Sequence, residues 1–404
     1  MGIYRDLART PGVFRILLSQ LTARFPFGML SITLLLHIQL QYGNYTSAGV
    51  ILAAQSVGQA IAGPLTSRLM GRLGMRSVLS VTTVFCSGLL VLVALTLMPL
   101  TVLAVVAFLI GITTPPVTPA VRTIYPKMVP GNQVSGLFSL DASAQEIIWI
   151  IGPVAAVFVS TQLSTVWGLL LAAVFMAGGG LWFITSPELG RVRIPPSRRR
   201  FGAVLTRPTV IISTVVGFLF VASFAALETG VVAAFGHEGI EAGIVLAVFS
   251  IGSIVGGLIL GHRDITPWSM VFRSLIVLVG TAVCLISLDP ILLCVALFFG
   301  GFGVAPMFAA LFTVVSSTVK FSETAEAYGW VGTGQLIGVA LGTAIAGVTI
   351  DANGAIGGIF VSTLFLVATA FASVISARWL PDLRGKDASP IPDTAAIQLP
   401  AHKG

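Results

Sequence analysis

Six polar side chains stand inside runs that are otherwise apolar: Arg24, Asp141, Gln145, Glu146, Glu228 and Gln335. The chemistry open to them is proton exchange and the binding of a small solute. A charge at the centre of a bilayer costs roughly 2.5–3.5 kcal/mol on insertion scales, so it faces a cavity or a partner. Arg24 and Glu146 fall near the middle of their runs, and we expect them to pair beside a central cavity as a substrate or proton site. The plain alternative is an ion pair that only fixes helix packing. Glu228 lies further along its run, with no basic residue at its depth. It could load and release a proton, or simply reach water. Asp141 sits near the start of its run, where a helix dipole favours an acid whatever its function. Gln145 lies one turn beyond Asp141, and Gln335 repeats it in the second half of the chain. Two amides facing one cavity could bond a polar solute, or they could join helices.

These residues need elements to hold them, and composition says which. Hydrophobic residues make up 56% of the 404 and charged residues only 9%, against about 25% charged in soluble domains. The mean hydropathy is +1.00. Lipid must therefore be the solvent for much of the surface. A span takes about 20 apolar residues, which predicts an all-α membrane protein with helices at 13–39, 46–68, 77–98, 101–121, 136–160, 164–186, 209–235, 242–261, 269–288, 291–317, 326–350 and 355–378. The first run is read as a span and not as a cleaved signal, because no small-residue cleavage site follows it.

The charges support this layout. With the amino terminus inside, the inner segments hold Arg5, Arg9, Arg15, Arg68, Arg72, Arg76, Arg122, Lys127, Arg263, Arg273 and Lys320, while the outer loops hold no Lys or Arg. That is the positive-inside pattern, and it reads the net charge of +7 as membrane topology, without nucleic-acid binding. Residues 187–208, with Arg191, Arg193, Arg198, Arg199, Arg200 and Arg207, form a basic inner linker between residues 1–186 and 209–380. Residues 381–404 read as a disordered cytoplasmic tail. Cys86, Cys284 and Cys294 lie in apolar runs and read as small buried hydrophobes. The four histidines form no ligand cluster, and His37 near a helix end is read as structural. No cofactor or metal is expected.

The two halves repeat. AGVILAAQSVGQAIAG at 48–63 aligns without gaps to AGIVLAVFSIGSIVGG at 242–257. Gly111, Pro116, Ala120, Gln145 and Gly152 recur as Gly301, Pro306, Ala310, Gln335 and Gly342. Duplicated six-helix halves place a substrate site between them near the midplane, with access alternating as they rock. The spacings Gly252-x-x-x-Gly256, Gly257-x-x-x-Gly261 and Gly334-x-x-x-Gly338-x-x-x-Gly342 give smooth stripes for close helix approach. Pro115, Pro116 and Pro119 should distort helix 4, and Pro306 helix 10. Phe25, Phe27, Trp149 and Trp330 could stack on a ring-bearing solute.

Over residues 1–380 the chain resembles the major facilitator superfamily. The loop after the second span carries Arg72, Gly74 and Arg76 of the family's glycine and basic pattern, with Gly71 where the family has Asp. The resemblance implies a cytoplasmic gate at this loop, its latch rebuilt around another acid, with Asp141 as a candidate. The fourth helix has Ala107-Phe108-Leu109-Ile110-Gly111 without the family's arginine. The fifth has Gly152-Pro153, as in drug/proton antiporters, with Ile148 at the upstream glycine position. The resemblance implies a secondary transporter, proton-coupled and exporting small amphipathic or drug-like compounds. Import of a sugar or organic anion is the alternative, and a non-transporting receptor or scaffold is the third reading. No phosphate loop, metal cluster or nucleophile motif points to an enzyme. The expected setting is the plasma membrane, with both termini cytoplasmic and a monomeric chain. The predominance of arginine over lysine points to a bacterial source.

Overall fold

In lipid a backbone must satisfy its own hydrogen bonds, so long apolar runs become helices. The computed structural model describes residues 2–197, 199–235 and 240–393. Its helices are α1 (Gly2–Arg9), α2 (Val13–Tyr42), α3 (Tyr45–Leu73), α4 (Met75–Leu95), α5 (Leu100–Ile112), α6 (Val117–Ile124), α7 (Val134–Gln162), α8 (Thr165–Thr185), α9 (Pro187–Arg191), α10 (Pro208–Phe235), α11 (Ile240–Leu260), α12 (Ser269–Val283), α13 (Pro290–Gly301), α14 (Val304–Thr318), α15 (Phe321–Asn353) and α16 (Ala355–Ser376). Among the described residues eleven spans are long and apolar enough to cross a membrane, and Ser269–Val283 is a shorter twelfth. The α5–α6 and α13–α14 pairs are each one span with a break. The chain is an all-α, multi-pass membrane protein of two six-helix bundles.

The ends of the helices are written locally. Asn44 accepts from the Ser47 amide at 2.8 Å to start α3. Asp289 accepts from the amides of Ile291 and Leu292, both at 3.0 Å, to start α13. Gly43 ends α2 at φ 73°, a conformation that glycine adopts without the strain a side chain would add. The breaks fall where the prolines predict. Pro115 and Pro116 lie between α5 and α6, and Pro306 sits in the first turn of α14, just after the interruption at Phe302 and Gly303.

The sequence repeat is also a packing repeat. A side chain on Gly58 would strike the Phe108 carbonyl, and one on Gly111 would strike the backbone of Gln55. Their counterparts Gly252 and Gly301 meet Phe298 and Phe249 in the same way. The crossing of α3 with α5 is thus rebuilt by α11 with α13. The glycine stripes divide among neighbours. Gly252 and Gly256 face α13 and the break after it, Gly257 and Gly261 face Ser139 and Ser143 of α7, and Gly334, Gly338 and Gly342 face α10.

Two polar segments are tied to the second bundle. The linker is pinned at Arg199 and Arg207, which both reach Glu323 of α15, at 3.3 and 3.4 Å. Residues 381–393, read from sequence as disordered, pack against the second bundle. The Leu383 amide donates to the Ile265 carbonyl at 2.9 Å, and the Ile391 amide to Val319 at 3.0 Å. Leu380 and Ala388 are buried, and Asp393 accepts from the Ser322 amide at the start of α15. Small apolar side chains between the prolines supply the anchorage that proline content alone concealed. Residues 394–404 lie outside the described residues.

Candidate functional site

The face at which α2 starts carries most of the arginines, and we refer to it as the basic face. α2, α7 and α15 all begin there. Arg24 lies about 16 Å along α2, at 1.5 Å per residue, and Asp141 about 10 Å along α7. The structure joins these two. Arg24 Nη1 is 3.6 Å from Asp141 Oδ1. Gln20 spans the gap, accepting from Arg24 at 2.8 Å and donating to Asp141 at 2.9 Å. The Tyr125 hydroxyl donates to the same Asp141 oxygen at 3.0 Å. Arg24 is 2% exposed and Asp141 0%. The expected Arg24–Glu146 pair is not formed. Asp141 and Glu146 are five residues apart, which on a helix turns them roughly 140° from each other, so they address different neighbours. Helical side chains also lean toward the amino terminus, which takes the Arg24 guanidinium down toward Asp141.

Glu146 turns instead to the second bundle. It accepts from Ser250 at 3.0 Å and Ser253 at 2.7 Å, both on α11. No basic residue among the described residues pairs with it. The repeat of small residues along α11 is what admits the carboxyl.

Among the described residues, Glu146 marks the limit of hydrogen bonding between the bundles. Nearer the basic face, Ser135 and Ser139 donate to the carbonyls of Gly261 and Gly257 at 3.0 and 2.9 Å. Arg68 of α3 pairs with Glu326 of α15 at 2.6 Å. Thr333 donates to the Ala60 carbonyl at 2.9 Å; Thr333 and Glu146 each lie roughly 18 Å along their helices. Among the described residues, the hydrogen bonds and ion pairs that tie the two bundles lie between the basic face and this depth. The chain is therefore closed at the basic face, and no such bond holds the bundles together beyond mid-depth. An aromatic plug fills the closed part. Tyr125 packs on Phe138 within the first bundle, and Phe138 meets Phe312 and Tyr328 of the second, its ring 6.0 Å from that of Phe312. Arg122 of α6 lies over the Phe312 ring, 3.4 Å from its centroid.

The remaining candidates disperse. Glu228 is exposed, with no hydrogen bond or ion pair among the described residues. Gln145 is half-buried, while the Gln335 amide packs on Gly217 with its nitrogen unpartnered, so the two amides do not share a bond. Arg72 is exposed and lines a 430 Å³ cavity with Arg68, Arg199 and Arg200. Gly74 links α3 to α4 at φ 87°. Arg76 donates to the Ser186 carbonyl at 3.1 Å. Gly152 abuts the Gly28 backbone, immediately before Pro153 in the same helix. Asp141 does not meet the basic loop; the acid paired with a basic residue beside it is Glu326, with Arg68. Phe25 packs on Phe175, Trp330 on Phe201 of the linker, and Trp149 is 54% exposed. His37 meets Thr165 and Gln41, a satisfied structural residue.

Sequence reading missed Gln20, Glu323, Glu326 and the burial of Arg122. Arg122 was grouped with inner-loop charges because the fourth span was ended at residue 121. Its signal was position, since it follows the proline break inside an apolar span.

The comparisons agree with this architecture. The family model for the Major Facilitator Superfamily matches residues 16–288 and 233–402. An uncharacterized MFS-type transporter, y4rN of Sinorhizobium fredii, is 26% identical over 157 residues, which is 38% of this chain and 39% of that protein. The chain thus matches well under half the length of that relative. The human organic anion transporter MFSD10 (TETRAN) superposes with a TM-score of 0.71 at 16% identity, covering 89% of this chain and 98% of that one. A bacterial homologue of the iron transporter ferroportin, in its outward-facing state, gives 0.68 at 12%, covering 91% and 98%. The E. coli fucose:proton symporter FucP gives 0.67 at 17%, covering 90% and 98%. At these identities the structures speak for the fold alone. Two matched six-helix bundles, closed at one face, and a family model that spans nearly the whole chain lead to one conclusion: this protein belongs to the Major Facilitator Superfamily and is a secondary transporter.

Proposed function

We propose that the chain is a proton-coupled carrier that exports small amphipathic compounds, with Glu146 as its proton site. One observation carries the reading. Glu146 is held at the edge of the seam by hydroxyls of the opposite bundle, with no cation among the described residues beside it. A carboxylate without a cation is costly to bury, so taking up a proton is coupled to the packing of the α7–α11 seam. The seam must open for the carrier to face the other way. Proton release and rearrangement therefore bear on the same contact. The export direction is supported by Gly152-Pro153, whose glycine lets α7 press onto α2 at Gly28. The basic face is the cytoplasmic one by the positive-inside pattern, in the plasma membrane of a bacterium, with a monomer as the working unit.

The test is dye and antibiotic accumulation in efflux-deficient bacteria expressing the chain, with and without a protonophore. Wild type should lower accumulation, the protonophore should abolish the difference, and Glu146→Gln should behave as empty vector. Export that survives in Glu146→Gln but fails in Glu228→Gln would move the proton site to α10. Uptake of a metabolite in place of efflux would reverse the direction.

A further inference from the structure

The buried charges around Asp141 do not balance. Arg24 and Arg122 are 2% and 4% exposed, and Asp141, which lies 3.6 Å from Arg24 and is the one carboxylate among the described residues whose charge acts on Arg122, is 0% exposed. Tyr125 and Gln20 add no charge, so two cations share one anion. Arg122 is the residue left over. A guanidinium has five N–H donors, yet Arg122 makes no hydrogen bond among the described residues, and its Nε is buried without an acceptor. What covers it is the Phe312 ring. A cation over a ring recovers part of the desolvation cost but supplies no acceptor.

That cover is conditional. Arg122 belongs to the first bundle and Phe312 to the second, so the ring lies on the guanidinium only while the bundles are closed at the basic face. Once they part there, Arg122 faces the opening, with Arg24 and Asp141 behind it and the rings of Phe138, Phe312 and Tyr328 around it. A planar guanidinium matches a carboxylate or sulfonate with two parallel hydrogen bonds, and the rings match an apolar body.

We propose that Arg122, backed by Arg24, is the charge-recognition site for the cargo, and that the cargo is an organic anion carried on an apolar ring system. The proposal rests on the transport reading above for a small amphipathic cargo and adds its charge. The anion takes the place of the Phe312 ring over Arg122 and supplies both the missing charge and the missing acceptors. A cationic cargo would add to an excess of positive charge, and a neutral one would leave it standing.

The test is thermal unfolding of the purified full chain in nanodiscs with three probes of one shape at equal concentration: naphthoate, naphthylmethanol and naphthylmethylammonium. Naphthoate should raise Tm by about 4 °C or more, and the other two should not. Arg122→Gln should lose the shift and Arg122→Lys should keep part of it. Equal shifts for the three probes, including none, would overturn the proposal, as would a full naphthoate shift in Arg122→Gln or the same shift with sodium sulfate at matched ionic strength. If Arg122→Gln does not fold, the ranking of probes on wild type decides alone. Binding is read without a proton gradient or turnover, so a failed role for Glu146 and a failed anion preference are seen separately.

Discussion

Asp141 illustrates how much one buried carboxylate can hold. It receives Gln20 and Tyr125, lies against Arg24, and its charge acts on Arg122. Removing its charge while keeping its shape leaves two guanidinium groups buried together. Asp141→Asn should therefore destabilise the fold by about 3–5 kcal/mol, the usual cost of breaking a buried pair from one side. Thermal melts of purified protein would show it as a large drop in Tm; a melt equal to wild type would mean that the arginines are hydrated. Outside the membrane Glu188 offers a contrast. Burial pushes its carboxyl up, but the hydrogen bond and charge of Arg15 outweigh this and hold it below the ordinary value of 4.5. A carboxyl lowered on folding contributes stability above its unfolded value and loses it as pH falls through the folded one. The stability gap between wild type and Glu188→Gln should accordingly be open at neutral pH and close on acidification below 4.5; a gap independent of pH would refute the pairing.

At the scale of the element, the glycines divide into those that let helices cross and those that do not. A Cβ on Gly152 would lie 2.7 Å from the Gly28 backbone, whereas nothing stands within 4 Å of one on Gly178 of α8. The same substitution should then have opposite signs. Gly152→Ala should cost about 1–3 kcal/mol through overpacking, and Gly178→Ala should be neutral or gain up to about 1 kcal/mol from the lower flexibility of the unfolded chain. Melting both variants side by side checks this, and equal effects would show that the α2–α7 crossing yields easily. The breaks in spans 4 and 10 were legible in advance because proline acts on its own backbone. The partner of Arg24 was not legible, since it depended on which side of α7 faces α2.

For the whole molecule, the closed state is the arrangement of contacts along the seam. Arg68–Glu326 and Thr333 with Ala60 both join α3 to α15. In a chain with its three cysteines replaced by alanine, Ala60→Cys with Thr333→Cys should be joined by a short bifunctional thiol reagent, and transport should stop until the link is reduced. Transport that continues in the linked protein would mean that this seam does not open during the cycle. Exchanging the partners, Arg68→Glu with Glu326→Arg, should restore much of the activity that either single change loses; failure to rescue would assign Arg68 to its contact with the linker instead.

By itself the sequence determined the solvent, the order and approximate positions of the spans, the basic face, the duplication and the helix breaks, while several span ends fell up to about five residues away from where they were placed. Each of these follows from local composition or from a residue's own backbone: apolar length fixes a span, arginine counts fix a face, and proline fixes a break. It also singled out Arg24, Asp141 and Glu146 as charges that lipid would not tolerate. Tertiary structure decided what those charges meet. Helix rotation and the lean of side chains toward the helix start sent Arg24 to Asp141 and turned Glu146 toward Ser250 and Ser253. Arg122 read as an inner-loop charge and Glu326 went unnoticed, because sequence gives depth along one helix only. Their burial is produced by a second bundle more than a hundred residues away, and no local rule contains it.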